Sequence, residues 1–124
     1  MQAPDSIVPI AALPPTRLKR RAEFVRVAKA GRKASTAGLV LQALAHGGGA
    51  GPARIGFTVT KKVGNAVVRN RTRRRLKEAA RLLLRERPVG GVDLVVIGRD
   101  TTRARPFPAL MDDLRRALDK AGVP

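Results

Sequence analysis

The stretch from Asn65 to Pro88 limits the fold of this chain more than any other feature. Asn65 is a preferred helix N-cap and Pro88 cannot continue a helix, which predicts one helix over about Ala66 to Arg87. Advancing about 100° per residue places Val68, Thr72, Leu76, Ala79, Ala80 and Leu83 on one side. Arg71, Arg74, Arg81 and Arg85 fall on the other. A helix this long with a continuous apolar side needs a second layer to bury it.

Strand patterns supply that layer. Arg54 to Thr60 alternates, with Ile55, Phe57 and Val59 on one side, and Gly56 allows a close backbone approach or a bulge. Val92 to Ile97 is the strongest strand, Gly38 to Ala45 is another, and a short one is possible at Lys33 to Thr36. The run from His46 to Pro52 reads as a flexible turn or hairpin loop. Thr16 is placed to cap a first helix from near Arg17 to Gly31, with Leu18, Ala22, Val25 and Ala28 on its inner face and Phe24 and Val27 on its flank. A last helix spans about Pro108 to Ala121, with Leu110, Met111, Leu114 and Leu118 inward and Asp112 and Asp113 suited to its N-terminal dipole. The order predicts an α+β two-layer sandwich with three or four strands, covered on one face and free to bind on the other. Residues 1–15 hold four prolines and read as a flexible leader before a single domain at 16–124.

Charge narrows the function. From Lys61 to Arg87, eleven basic and two acidic residues leave +9 in 27 positions, more than half of the formal +17 carried by 124 residues. Solvation explains neither the preference for arginine nor the scarcity of glutamate, and like charges at i,i+4 destabilise a helix. The guanidinium fork matches phosphate oxygens, so the face reads as a nucleic-acid surface. Gly64 lets a phosphate approach the helix N-terminus closely, while Asn65 is first of all a cap.

Other chemistries find no footing in the sequence. The chain has no cysteine and one histidine, His46, which removes thiolate and multi-histidine metal sites. Five of its nine carboxylates (Asp93, Asp100, Asp112, Asp113 and Asp119) lie late in the chain in cap or surface settings, and Asp93 reads as a turn residue rather than a contact to a metal or to the basic helix. No carboxylate cluster suits a two-metal nuclease, and Gly47-Gly48-Gly49 is not followed by the Gly-Lys-Ser/Thr of a phosphate loop. Apolar runs are too short to cross a bilayer, and the patch from Ile7 to Leu13 lacks the basic flank of a signal peptide. With Phe24, Phe57 and Phe107 as the sole aromatics, stacking platforms are scarce. Phe24 leans towards the surface, Phe57 suits core or ligand equally, and Phe107 suits a staple on the last helix.

The run Arg-Ile-Gly-Phe-Thr-Val-Thr-Lys-Lys-Val-Gly-Asn-Ala-Val-Val-Arg-Asn-Arg, Arg54 to Arg71, resembles the signature of the bacterial ribonuclease P protein subunit, and Thr72 to Glu78 continue the match. Leu18 to Gly31 is similar to the family's first helix and Asp93 to Arg99 to its last strand, so the resemblance spans about residues 17 to 120. It implies an αβββαβα fold similar to domain 2 of ribosomal protein S5, with a left-handed βαβ crossover. It implies that Lys61, Lys62, Asn65, Arg69, Asn70, Arg71, Arg73, Arg74 and Arg75 contact a catalytic RNA. Lys19, Arg20, Phe24 and Phe57 would line a cleft for the 5′ leader of precursor tRNA.

On the same grounds the ribonucleoprotein is an endoribonuclease that trims precursor tRNA to its mature 5′ end. Its Mg²⁺ is bound mainly by the RNA, with no catalytic or metal-binding residue on the protein. The protein would raise precursor affinity and help retain the metal ions. The expected partners are the catalytic RNA and precursor tRNA, without an obligate protein partner or a membrane, in the cytoplasm. Composition alone equally allows a ribosomal or RNA-chaperone-type structural RNA-binding protein; the motif favours the first reading. Some family members carry further aromatics where Ala28 and Gln42 stand here, so leader contacts are expected to rely less on stacking and more on charge and backbone.

Overall fold

A computed structural model describes residues 15–45 and 51–123. The proline-rich leader up to residue 14, together with His46 and residues 47–50, lies outside the described residues. The elements are β1 (Thr16–Arg17), α1 (Arg21–Ala30), β2 (Arg32–Ser35), β3 (Leu39–Ala45), β4 (Arg54–Val59), α2 (Ala66–Glu86), β5 (Val92–Gly98) and α3 (Phe107–Lys120). Single 3₁₀ turns at Lys61–Val63 and Asp100–Ala104 precede α2 and α3.

The five strands form one mixed sheet in the order β1-β4-β5-β3-β2. β4 runs parallel to β1 and β5, whereas β3 runs antiparallel to β5 and to β2. β5 is central because Val-Asp-Leu-Val-Val-Ile has apolar residues on both faces, the pattern of a strand covered twice. This corrects the hairpin reading of the segment between β3 and β4. The two strands are not neighbours, since β5 pairs with each of them and lies between. The short strand expected near residue 33 is present as β2, and β1 adds a fifth that the sequence did not signal.

α2 and α3 cover one face. Leu76, Ala80 and Leu83 of α2 and Leu110, Leu114 and Leu118 of α3 meet Leu39, Leu41, Leu94 and Val96 of the sheet in the main core. α1 covers part of the other face, where Leu18, Val27 and Val95 are buried and Phe24, Leu44 and Ile97 pack against them. The alternation on β5 is therefore literal, with Leu94 and Val96 turned to the main core and Val95 and Ile97 to α1. α1, β2, β3, β4, α2, β5 and α3 follow the αβββαβα order, and the parallel strands β4 and β5 are joined across α2.

Two helices depart from the sequence reading. Thr16 does not cap α1, because Thr16–Arg17 pairs with β4 and the helix starts at Arg21. The Glu23 carboxylate accepts the N–H groups of Lys19 and Arg20 at 2.9 and 2.8 Å and so closes that helix end. The inner face also turns: Val27 is buried and Phe24 half-buried, while Ala22, Val25 and Ala28 stay exposed. In α3, Asp112 is exposed as expected but Asp113 is buried, because Arg105 pairs with it through Nε at 2.8 Å and Nη2 at 3.1 Å.

Candidate nucleic-acid interface

Beside α1 the sheet is left open, forming a groove of about 530 Å³. Its floor includes Gln42 of β3, Thr58 of β4, and Val95 and Ile97 of β5, which project on the α1 side. Arg21, Phe24, Val25 and Ala28 form the α1 wall, and Arg73 reaches in from α2. Phe24 lies low in this wall because Gly56 makes room for it. A Cβ at Gly56 would meet the Phe24 ring carbons at 2.4 and 2.5 Å. Phe57 also lines the groove, yet its register with Val96 puts it on the α2 side, where it packs on the main core. Lys19 and Arg20 are exposed at the start of α1. Ala28 and Gln42 both line the groove, so its walls are apolar and polar there rather than aromatic.

The basic helix begins as its local sequence dictates. Gly64 takes φ 154°, and a Cβ there would lie 2.9 Å from Val68. Asn65 Oδ1 then accepts the Val68 N–H at 3.0 Å. Thr72 donates to the Val68 carbonyl at 2.8 Å and is buried with Leu76, Ala79, Ala80, Leu83 and Leu84, while Val68 is half-buried. Lys61, Lys62, Asn65, Asn70, Arg71 and Arg74 are all exposed on one cationic surface with Arg81 and Arg85. Arg73 donates to Asn70 Oδ1 at 3.0 Å and connects that surface to the groove. The half-buried Arg69 has its Nε out of solvent with no acceptor among the described residues, a cost that a partner's acceptor would relieve.

Arg75 stands apart from its neighbours. Its guanidinium donates to the carbonyl oxygens of Thr102 at 2.7 Å, Arg103 at 3.2 Å and Arg105. It fastens the turn before α3, so its Nη1 and Nη2 are already engaged by the protein itself. Arg103 in that turn donates to the Val63 carbonyl at 3.2 Å and joins the same edge as Lys61 and Lys62.

Charge also works inside the molecule, at positions the sequence reading missed. Asp93 is fully buried rather than a turn residue, and Arg54 grips it with Nε and Nη2 at 2.8 and 2.7 Å. Arg54 Nη1 meets Glu23 at 2.6 Å, and Arg26 reaches Asp93 at 3.0 Å. The hydrogen bond to Asp93, more than any other contact, holds the Arg54 guanidinium above its ordinary value. The backbone N–H of Arg20, then that of Lys19, and Arg54 hold the Glu23 carboxyl below the usual range. A signal was available, because a carboxylate inside an apolar strand must be paired when buried. With Asp93 and Asp113 both committed to arginines, the described residues hold no group of three carboxylate or histidine side chains able to cage a metal. Nor do they include a helix long and apolar enough to cross a membrane.

The family model described as Ribonuclease P matches residues 14–122. The ribonuclease P protein component of Gluconacetobacter diazotrophicus is 69% identical over 107 residues, covering 86% of this chain and 91% of the relative. That of Paramagnetospirillum magneticum is 50% identical over 110 residues, covering 86% and 83%. In structure, the RNase P protein of Staphylococcus aureus superposes with a TM-score of 0.73 at 27% identity, over 86% of this chain and 95% of that one.

Proposed function

Since the chain belongs to the ribonuclease P protein family, we propose a division of labour across its surface. As a protein component of ribonuclease P it takes part in tRNA processing and works with the ribonuclease P RNA. In our reading the exposed cations of α2 and the preceding turn bind that RNA: Lys61, Lys62, Arg71 and Arg74, with Asn65, Arg69, Asn70 and Arg73 beside them. Arg75 instead secures the turn that completes this edge. The groove between α1 and the open sheet takes the single-stranded 5′ leader of precursor tRNA. Phe24 offers an aromatic edge and Arg21 and Arg73 offer charge, while Lys19 and Arg20 extend the wall.

The observation that carries this reading is the junction at Arg73. One side chain belongs both to the groove and to the cationic helix face, so a leader and a structured RNA would be held side by side. Arginine forks bind phosphates without regard to sequence, which suits a protein serving many precursors.

We assign the metal-dependent cleavage to the RNA. The protein's part is to hold the leader, neutralise phosphate repulsion between two RNAs and thereby lower the Mg²⁺ needed for assembly. We place this work in the cytoplasm.

The test is an add-back assay. With the catalytic RNA at low Mg²⁺, adding this protein is expected to restore cleavage of a leader-bearing precursor. RNA alone should be nearly inactive there, and protein alone should be inactive at any Mg²⁺ concentration. Cleavage by the protein alone would overturn the assignment.

A further inference from the structure

α1 is a wall of the groove, yet the apolar cluster beneath it is small, with Leu18, Val27 and Val95 as its buried members among the described residues. A second attachment lies on the side of the helix away from the groove. There Glu23 and Arg26, three residues apart, face the N-terminal ends of β4 and β5 together. Arg54 of β4 holds Asp93 of β5 through two parallel hydrogen bonds and Glu23 of α1 through a third. Arg26 of α1 closes the network on Asp93.

Such a network constrains geometry more than it adds stability. Two charges taken out of water lose hydration that their attraction roughly offsets, and apolar residues of the same bulk often serve stability equally well. A bidentate fork, by contrast, fixes direction and distance, which apolar contact does not. We propose that Asp93, acting through Arg54, Glu23 and Arg26, is a positioning residue for precursor tRNA. The buried carboxylate sets where α1 stands on the sheet, and hence the width of the groove. The proposal rests on the reading that this groove takes the leader.

Two variants test it. Arg54→Met combined with Asp93→Leu replaces the pair by apolar side chains of similar bulk and is expected to fold. Arg26→Gln alters a side chain that is 56% exposed and removes one link. Each is assembled with the catalytic RNA, and affinities are measured for leader-bearing precursor and for mature tRNA. Thermal melting and affinity for the catalytic RNA are followed in parallel.

The precursor-to-mature affinity ratio should fall by about tenfold, or about 1.4 kcal/mol, in the double variant and by less in Arg26→Gln. KM for precursor should rise while the single-turnover rate at saturation and the affinity for the catalytic RNA hold. A purely structural role would change melting without moving the ratio. An unchanged ratio in either folded variant overturns the proposal. Phe24→Ala in the same assay separates leader binding in the groove from the positioning role of the network. A ratio lowered by Phe24→Ala but not by the network variants keeps the groove reading and removes the positioning role. A ratio lowered by none of them removes both.

Discussion

At the residue scale, small local facts fix where the functional groups stand. The ring of Phe24 occupies the space a side chain at Gly56 would need, so the glycine sets the depth of the aromatic in the groove wall. Gly56→Ala is expected to cost about 1–3 kcal/mol, the usual range for overpacking, and to weaken precursor binding as the ring is displaced. Urea denaturation and precursor affinity measure the two effects. Glu23 gives a pH signature. Its carboxyl is held below the ordinary value by the N–H groups of Arg20 and Lys19 and by Arg54, so folding favours its charged form. That contribution is fully present above the ordinary glutamate value and disappears as pH falls through the lowered one. Glu23→Gln should therefore be less stable than the parent chain in neutral buffer, with the gap closing in acid; urea melts across that range check it. These contacts were only partly legible in the sequence. The Asn65 cap and Gly64 turn are local and could be read directly, whereas Glu23 and Arg26 of α1, Arg54 of β4 and Asp93 of β5 stand on separate elements and meet through tertiary packing.

At the scale of elements, α2 reads off the sequence because its signals are periodic and its ends are punctuated by Asn65 and Pro88. α1 does not, since ten residues of mixed polarity leave two plausible inner faces, and β1 claimed the residues that looked like its first turn. Strand order was likewise out of reach. Alternation identifies a strand, but the insertion of β5 between β3 and β4 comes from its being apolar on both faces. The arginines of α2 look alike in sequence and divide in three dimensions. Arg71→Ala with Arg74→Ala should weaken binding to the catalytic RNA and lower the slope of log affinity against log salt by about two, one per phosphate contact. Arg75→Ala removes a charged donor from three carbonyls, so it should lower folding stability by about 2 kcal/mol or more and leave that slope nearly unchanged. Filter binding over a salt series, with thermal melting, distinguishes the two.

For the molecule as a whole, a formal +17 on 124 residues is a self-repulsion that folding tolerates and RNA relieves. More than half of that excess sits on α2 and its approach, which pack on the core face of the sheet, and Arg73 brings that charge to the rim of the groove on the opposite face. The arrangement gives two adjoining surfaces, the proposed sites for a folded RNA and for a single strand. Because the chain contains no cysteine, single introduced thiols can report on each surface separately. The most direct test of the account places a photo-crosslinker on Val25→Cys in the groove wall and, in a second variant, on Arg71→Cys of the helix face, in holoenzyme loaded with leader-bearing precursor. Position 25 is expected to crosslink to leader nucleotides and position 71 to the catalytic RNA. Crosslinks from position 25 confined to the catalytic RNA, or to the body of the tRNA without the leader, would contradict it.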